Sequence, residues 1–158
     1  MKPRRDANID RVKRDQMRAV LIHEHGHRVV SEHFGCLAWI EIDHPEDATD
    51  EYSTFEGRCL SFDQSMTPDE YSVYGVAGIA AEFLNEDPVI DAFQIFEYVK
   101  SGFTDISSAD NKAALCNGPL NDGQFDEALK ILRARWAELQ SAVERDFKIH
   151  WHVHKAIT

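Results

Sequence analysis

Positions 1–7 are mostly polar and are expected to fray. From Asn8 or Asp10 onward, apolar residues return at helical spacing. They thicken through Ala19, Val20, Leu21, Ile22, Val29, Val30 and Phe34, and Gly35 offers a stop. The pattern predicts a long helix ending at Phe34. Residues 36–42 change character. Their β-branched and aromatic bias predicts a strand. An acidic stretch from His44 to Ser53, with Pro45 and no apolar rhythm, reads as a loop. Residues 54–62 read as a second strand that pairs with the first, with Gly57 marking a bulge.

Thr67, Pro68, Asp69 and Glu70 then spell a helix start: a capping threonine, proline at the first helical position and glutamate at the capping-box position. This helix should pass through Tyr74, Ala77, Ala81 and Leu84 to about Asn85. Its small residues, Gly75, Ala77, Gly78, Ala80 and Ala81, permit close approach of another helix. Asp87 and Pro88 are expected to open a further helix, ended near Gly102. Another should run from Asp105 or Ser107 to Cys116, before the break at Asn117, Gly118 and Pro119. Finally Phe125, Ala128, Leu129, Leu132, Trp136, Leu139, Val143 and Phe147 recur at helical spacing, predicting one long amphipathic C-terminal helix over 122–150. The expected fold class is α+β: a mostly helical domain with a small β-hairpin and a long C-terminal helix.

Composition adds limits. A chain of 158 residues reads as one domain, 1–158, with room for a real core. Apolar residues make up 43% and charged residues 28%, which gives no sign of disorder. A net charge of −11 argues against general nucleic-acid binding and against an anionic membrane surface. Lys2, Arg4, Arg5, Arg11, Lys13, Arg14 and Arg18 are a local exception, read as a solvated helix face. No run of about 18 apolar residues appears, so no membrane-spanning helix is expected. No apolar stretch follows the basic start, so no secretory signal is expected. The odd set Cys36, Cys59 and Cys116 follows no zinc or redox spacing. It reads as reduced, buried thiols, which suits a cytoplasmic location.

The chemistry concentrates in the first predicted helix, at His23-Glu24-His25-Gly26-His27. Histidines four apart share a helix face one turn apart. Two such imidazoles can bind one Zn²⁺, with the adjacent glutamate beside the water that the ion activates. A shuffled chain with the same 8 His and 13 Glu would contain H-E-x-x-H about 0.03 times. The alternative, a buried helix with hydrogen-bonded histidines, makes a poor apolar core. A catalytic zinc takes three protein ligands and leaves one position open. The third is not a histidine at metzincin spacing, because position 30 is Val rather than Gly although position 33 is His. Glu82, Glu86, Asp87, Asp105 and Asp110 all remain open on pattern alone.

The chain resembles the peptidase domain of the FtsH family, the membrane-bound, ATPase-linked zinc proteases. Three segments carry the resemblance in the family's order. His23-Glu24-His25-Gly26-His27 stands where the family has H-E-A-G-H. Ala77-Gly78-Ile79-Ala80-Ala81-Glu82 stands for its G-G-R-A-A-E helix. Ser101-Gly102-Phe103-Thr104-Asp105-Ile106 stands for the segment that carries its third ligand. The resemblance covers about residues 17–116, with a helical tail over 121–158. It implies a zincin-like fold in which His23, His27 and Asp105 hold Zn²⁺ and Glu24 is the catalytic base, with Asp110 the alternative third ligand. His25 replaces the family's alanine and faces away from the His23–His27 side, where a place at the surface and a place behind a ligand are both open; Phe103 and Thr104 replace small polar residues.

The implied activity is that of a zinc metalloendopeptidase. The sequence contains no P-loop and no membrane anchor, so the expected substrates are flexible or unfolded polypeptides, acted on without ATP or with a separate unfoldase or adaptor. A peptide would add as a strand along residues 57–62. Two other readings compete: a metal- or peptide-binding module without turnover, and a regulatory partner with a structural metal closed by a cysteine or histidine. His150, His152 and His154 alternate near the chain end. His150 and His154 would share a face if helical, and the plain reading is a solvated, adventitious metal binder.

Overall fold

The computed structural model describes residues 2–45, 54–102 and 106–157. In chain order these form α1 (Lys2–His33), β1 (Ala38–Asp43), β2 (Glu56–Ser61), a 3₁₀ turn (Asp63–Ser65), α2 (Pro68–Glu86), α3 (Ala92–Lys100), α4 (Ser108–Ala114), α5 (Asp122–Ala134) and α6 (Trp136–Ala156). The architecture is α+β and mostly helical. None of the described helices is long and apolar enough to cross a membrane. Most of the loop expected over 44–53 lies outside the described residues.

The first helix begins earlier than its apolar rhythm suggests. Pro3 falls in the first turn, where a missing N–H costs nothing, and no Gly or Pro follows before Gly26. The helix ends in a Schellman turn. Cys36 N–H donates to Ser31 O at 3.0 Å, Gly35 N–H donates to Glu32 O at 3.0 Å, and Gly35 takes a φ of 79°.

β1 and β2 pair antiparallel from Ala38↔Ser61 to Asp43↔Glu56. Gly57 sits squarely opposite Ile42 in this ladder, so the expected bulge is absent. The glycine answers a different need. A Cβ there would lie 2.5 Å from Val20 Cγ1 and 2.8 Å from Glu24 Cγ, so its absence lets β2 lie against α1.

The capping box of α2 forms as its sequence predicts. Glu70 N–H donates to Thr67 Oγ1 at 3.2 Å and Thr67 N–H donates to Glu70 Oε1 at 2.9 Å. The next helix departs from expectation. Asp87 accepts Val89 N–H at 3.1 Å in a turn over Pro88, and α3 waits for the stronger signal at Asp91. There Asp91 and Gln94 satisfy each other's backbone N–H groups at 2.8 and 3.0 Å.

The C-terminal helix is two helices. Arg135 leaves helical geometry at φ −117°, ψ 17° and turns its guanidinium onto α1, reaching Val29 O and Glu32 Oε1, each at 3.0 Å. The apolar rhythm crosses the break because Phe125, Leu129 and Leu132 on α5 enter the same core as Leu139, Val143 and Phe147 on α6.

Two close approaches build the centre. Gly26 on α1 faces Ala77 O and Ala81 Cβ, which an added methyl would meet at 2.8 and 2.7 Å. Gly75 on α2 faces the backbone of Ala113 and Ala114 in the same way, drawing α4 onto α2. The buried amide of Gln124 ties this junction to α5, donating to Ala114 O at 2.8 Å and Ser72 O at 3.2 Å.

Two sequence readings change here. The basic residues of α1 are not simply a solvated face. Lys13 is fully buried, Arg14 lies over the Trp151 ring at 5.1 Å, and Arg18 lies over Phe147 at 3.9 Å and pairs with Glu144. Cations with long apolar stems serve as packing against aromatic faces. Of the three thiols, all free, only Cys36 is buried; Cys59 is half-buried and Cys116 exposed.

Candidate metal centre

Three elements meet at His23 and His27. α1 supplies both histidines and Glu24, one turn apart on the face toward α2. α2 makes room for them: a Cβ on Gly78 would fall on the His23 ring. α4 brings Asp110, whose own N–H is anchored on the capping hydroxyl of Ser107 at 3.3 Å.

Each histidine has one nitrogen committed to α2. His27 Nδ1 lies 2.7 Å from Tyr74 O. A carbonyl only accepts, so Nδ1 carries the proton and Nε2 is left as a lone pair. His23 Nδ1 donates to Glu82 Oε2 at 2.9 Å, which leaves its Nε2 inward in the same way. Those two Nε2 atoms lie 3.3 Å apart, and Asp110 Oδ2 lies 2.9 Å from one and 3.1 Å from the other. Three acceptor atoms thus face one point, a collision of lone pairs that only a proton or a cation relieves.

The electrostatics agree. Burial opposes charge on His23, yet the carboxylates of Asp110 and Glu82 outweigh it and raise its pKa to about 10. Burial also opposes charge on Asp110, but the imidazoles of His23 and His27 beside its carboxylate hold it well below the usual carboxylate range. Without metal, the protein therefore fills this point with a proton on His23.

A tetrahedral ion with bonds of about 2.0–2.1 Å sets its ligand atoms about 3.3–3.4 Å apart, close to the spacing found here. The donor set of two imidazoles and a carboxylate suits Zn²⁺. Among the described residues, these three are the group whose ligand atoms converge within 4.8 Å, and no cysteine belongs to it. Cys59 is close by, but burial pushes its pKa up to about 12, so it stays a thiol. Its partner is the hydroxyl of Tyr74, which burial likewise holds well above its ordinary value.

Glu24 is buried at the edge of this centre, its Oε1 4.0 Å from His23 Nε2. Burial pushes its pKa upward, with His27 and His23 pulling the other way. It is thus a carboxylate whose affinity for a proton exceeds the usual one.

Of the acidic residues left open by the sequence, Asp110 reaches both histidines and Glu82 holds His23 from behind. Glu86 and Asp87 end α2 away from the cluster. Asp105, the third ligand implied by the family resemblance, lies outside the described residues. His25 points to the opposite side of α1, and it is neither at the surface nor behind a ligand. It is buried, its Nε2 donates to Asp146 on α6 at 2.7 Å, and its Nδ1 accepts from Arg28 Nε at 2.8 Å. The Tyr74 carbonyl, Gly78 and Asp146 escape a sequence reading. The one hint toward Asp110 is its place three residues after Ser107, a helix start that fixes its backbone.

Comparison with protein-family models finds no match for the chain, and comparison with curated proteins finds none at a significant level.

Proposed function

We propose that this protein is a zincin-like, zinc-dependent endopeptidase that hydrolyses flexible or unfolded polypeptides, as its resemblance to the FtsH peptidase domain suggests. The observation that carries the reading is the convergence of His23 Nε2, His27 Nε2 and Asp110 Oδ2 on one point with Glu24 beside them. His23, His27 and Asp110 would hold a divalent ion, which would supply acidification of water and polarisation of the scissile carbonyl. Everything else falls to the chain itself. Glu24 accepts a proton on its carboxylate and delivers it to the leaving amine, a role its raised pKa suits. Glu82 and the Tyr74 carbonyl fix the tautomer and aim of the two imidazoles. β2 offers an extended substrate a free edge, since β1 is its one strand partner among the described residues. Gly57 brings that strand against the Glu24 side chain.

An intact Glu24 favours turnover over mere binding, because two histidine ligands need no such neighbour to hold a metal. The deciding experiment measures zinc content and casein cleavage for the wild type and for Glu24→Gln. The expected result is about one zinc at this centre in both proteins, with cleavage by the wild type alone. Zinc in both with cleavage by neither leaves a binding module or an enzyme that waits for a partner. No zinc in either overturns the reading.

A further inference from the structure

Imidazoles fill the seam between the end of β1 and the last turns of α6. His44 follows β1 directly, and His150 and His154 are one turn apart on α6. His154 is 1% exposed, so it is no solvated tail residue. Its ring lies between Phe55 at 5.1 Å and Trp151 at 5.0 Å, and it stacks toward His44 at 6.4 Å. Phe55 is itself buried and leads into β2. His44 turns one nitrogen, Nε2, to His150 Nδ1 at 3.3 Å. His152, between the two α6 histidines, is exposed.

The seam has room for few protons. The other His44 nitrogen, Nδ1, and His154 Nδ1 are both shut off from solvent, with no hydrogen-bond partner among the described residues. A neutral imidazole can leave such a nitrogen as a bare lone pair, but a charged one carries N–H on both nitrogens. A proton added to either ring therefore strands a buried donor on a charged group, the costlier kind of unmade hydrogen bond. Between His44 Nε2 and His150 Nδ1 there is room for one proton, since two would set N–H against N–H. The neighbouring charges point the same way. Lys13 from α1, Lys155 from α6 and His44 all face His154, while Asp10 from α1 pulls in the opposite sense and is held by Lys155 at 3.1 Å. Asp43 from β1 faces His44, and His150 opposes it. Burial leads the balance and holds both His44 and His154 below their ordinary pKa.

We propose that this seam is an acid-sensitive closure: it joins the hairpin to the end of α6 while His44 and His154 are neutral, and it opens locally when they take up protons. Opening brings the two stranded nitrogens into water, where both can carry N–H at no cost. Closure is complete above 6.5 and lost as pH falls below it, because both rings are lowered from that value. Each ring that gains a proton on opening makes opening about tenfold easier per pH unit, so the two together give up to about a hundredfold. What the opening frees is Phe55, which His154 covers, and with it the lead into β2. That strand carries Gly57, against which the Glu24 side chain lies. Acid thus loosens the strand beside Glu24 ahead of the rest of the fold, whether or not the protein is a peptidase.

The test is hydrogen exchange of the full chain in chelator, from about pH 7.5 to about pH 5, with rates corrected for the intrinsic pH dependence of exchange. Protection of residues 150–156 and 54–57 is expected to fall by about tenfold or more across this range, ahead of residues 19–30 at the middle of α1. The double variant His44→Gln, His154→Gln cannot take up these protons and should lose the acid response. His44→Gln alone, at a half-buried position that should still fold, should remove about one proton's worth of it, roughly tenfold per pH unit. His152→Gln should leave it unchanged. Protection at the end of α6 that is indifferent to acid in the wild type overturns the proposal. So does an acid loss of the same size in His44→Gln, or one that sets in over residues 19–30 at the same pH, which marks unfolding of the whole chain.

Discussion

The two sides of α1 treat the same residue type in opposite ways. Toward α6, His25 is a completed hydrogen-bonding unit: one nitrogen donates to Asp146 and the other accepts from Arg28. Toward α2 and α4, His23 and His27 each spend one nitrogen on α2 and leave the other facing an anion and each other. His25 and His27 are buried and His23 is half-buried, and all three are within five residues. The difference lies in the partner of the second nitrogen. A donor there completes a structural histidine; a convergence of acceptors leaves a group that could hold a metal.

The sharpest way to break that contrast is to remove the anion. Asp110→Ala should cost more zinc affinity than the roughly 10–100-fold typical of an outer partner, measured by competition with a chromophoric chelator. Asp105→Ala should leave affinity unchanged, and the reverse pattern would move the third ligand to Asp105. Next in size, Glu82→Gln should weaken zinc binding by about 10–100-fold, since His23 loses the carboxylate that aims it. His25→Ala should lower stability by about 1–3 kcal/mol in urea titrations, because it strands Asp146 and Arg28, while zinc content at the centre stays as it was.

A separate check is a pair of pH slopes with opposite signs. His23 is raised from 6.5 to about 10 in the metal-free protein. Its contribution to stability is therefore complete below 6.5 and lost as pH rises toward 10. His25 is lowered from 6.5 by burial, against the pull of Asp146. Its contribution is complete above 6.5 and lost as pH falls below it. Melting of metal-free protein across this range should lose its alkaline slope in His23→Ala and part of its acid slope in His25→Ala.

The parts of this molecule legible in sequence are those written in local chemistry. Thr67 and Glu70 announced their capping box, and His23, Glu24 and His27 announced a shared face. The break at Arg135 was hidden because apolar spacing is blind to a kink when both halves enter one core. Gly57 looked like a bulge because its reason lies on α1, in the side chains of Val20 and Glu24. His25 stayed open because its partner on α6 is 121 residues away in the chain. Asp110 competed with every other carboxylate until the contact of Gly75 with Ala114 was known, since that contact delivers α4 to the histidines.

That contact has a kinetic consequence. Two members of the His23, His27 and Asp110 group sit on the longest helix and the third on a seven-residue one, whose far end is held by the Gln124 amide and by bonds from Cys116 and Asn117 to the start of α2. Short segments open locally at far lower free energy than the whole fold. On the proposed metal reading, α4 is the latch of the centre, and an ion would leave when that latch swings rather than when the His23–His27 pair lets go. The residence time of a metal bound as proposed would then depend on Gln124 and Gly75, neither of which belongs to the His23, His27 and Asp110 group.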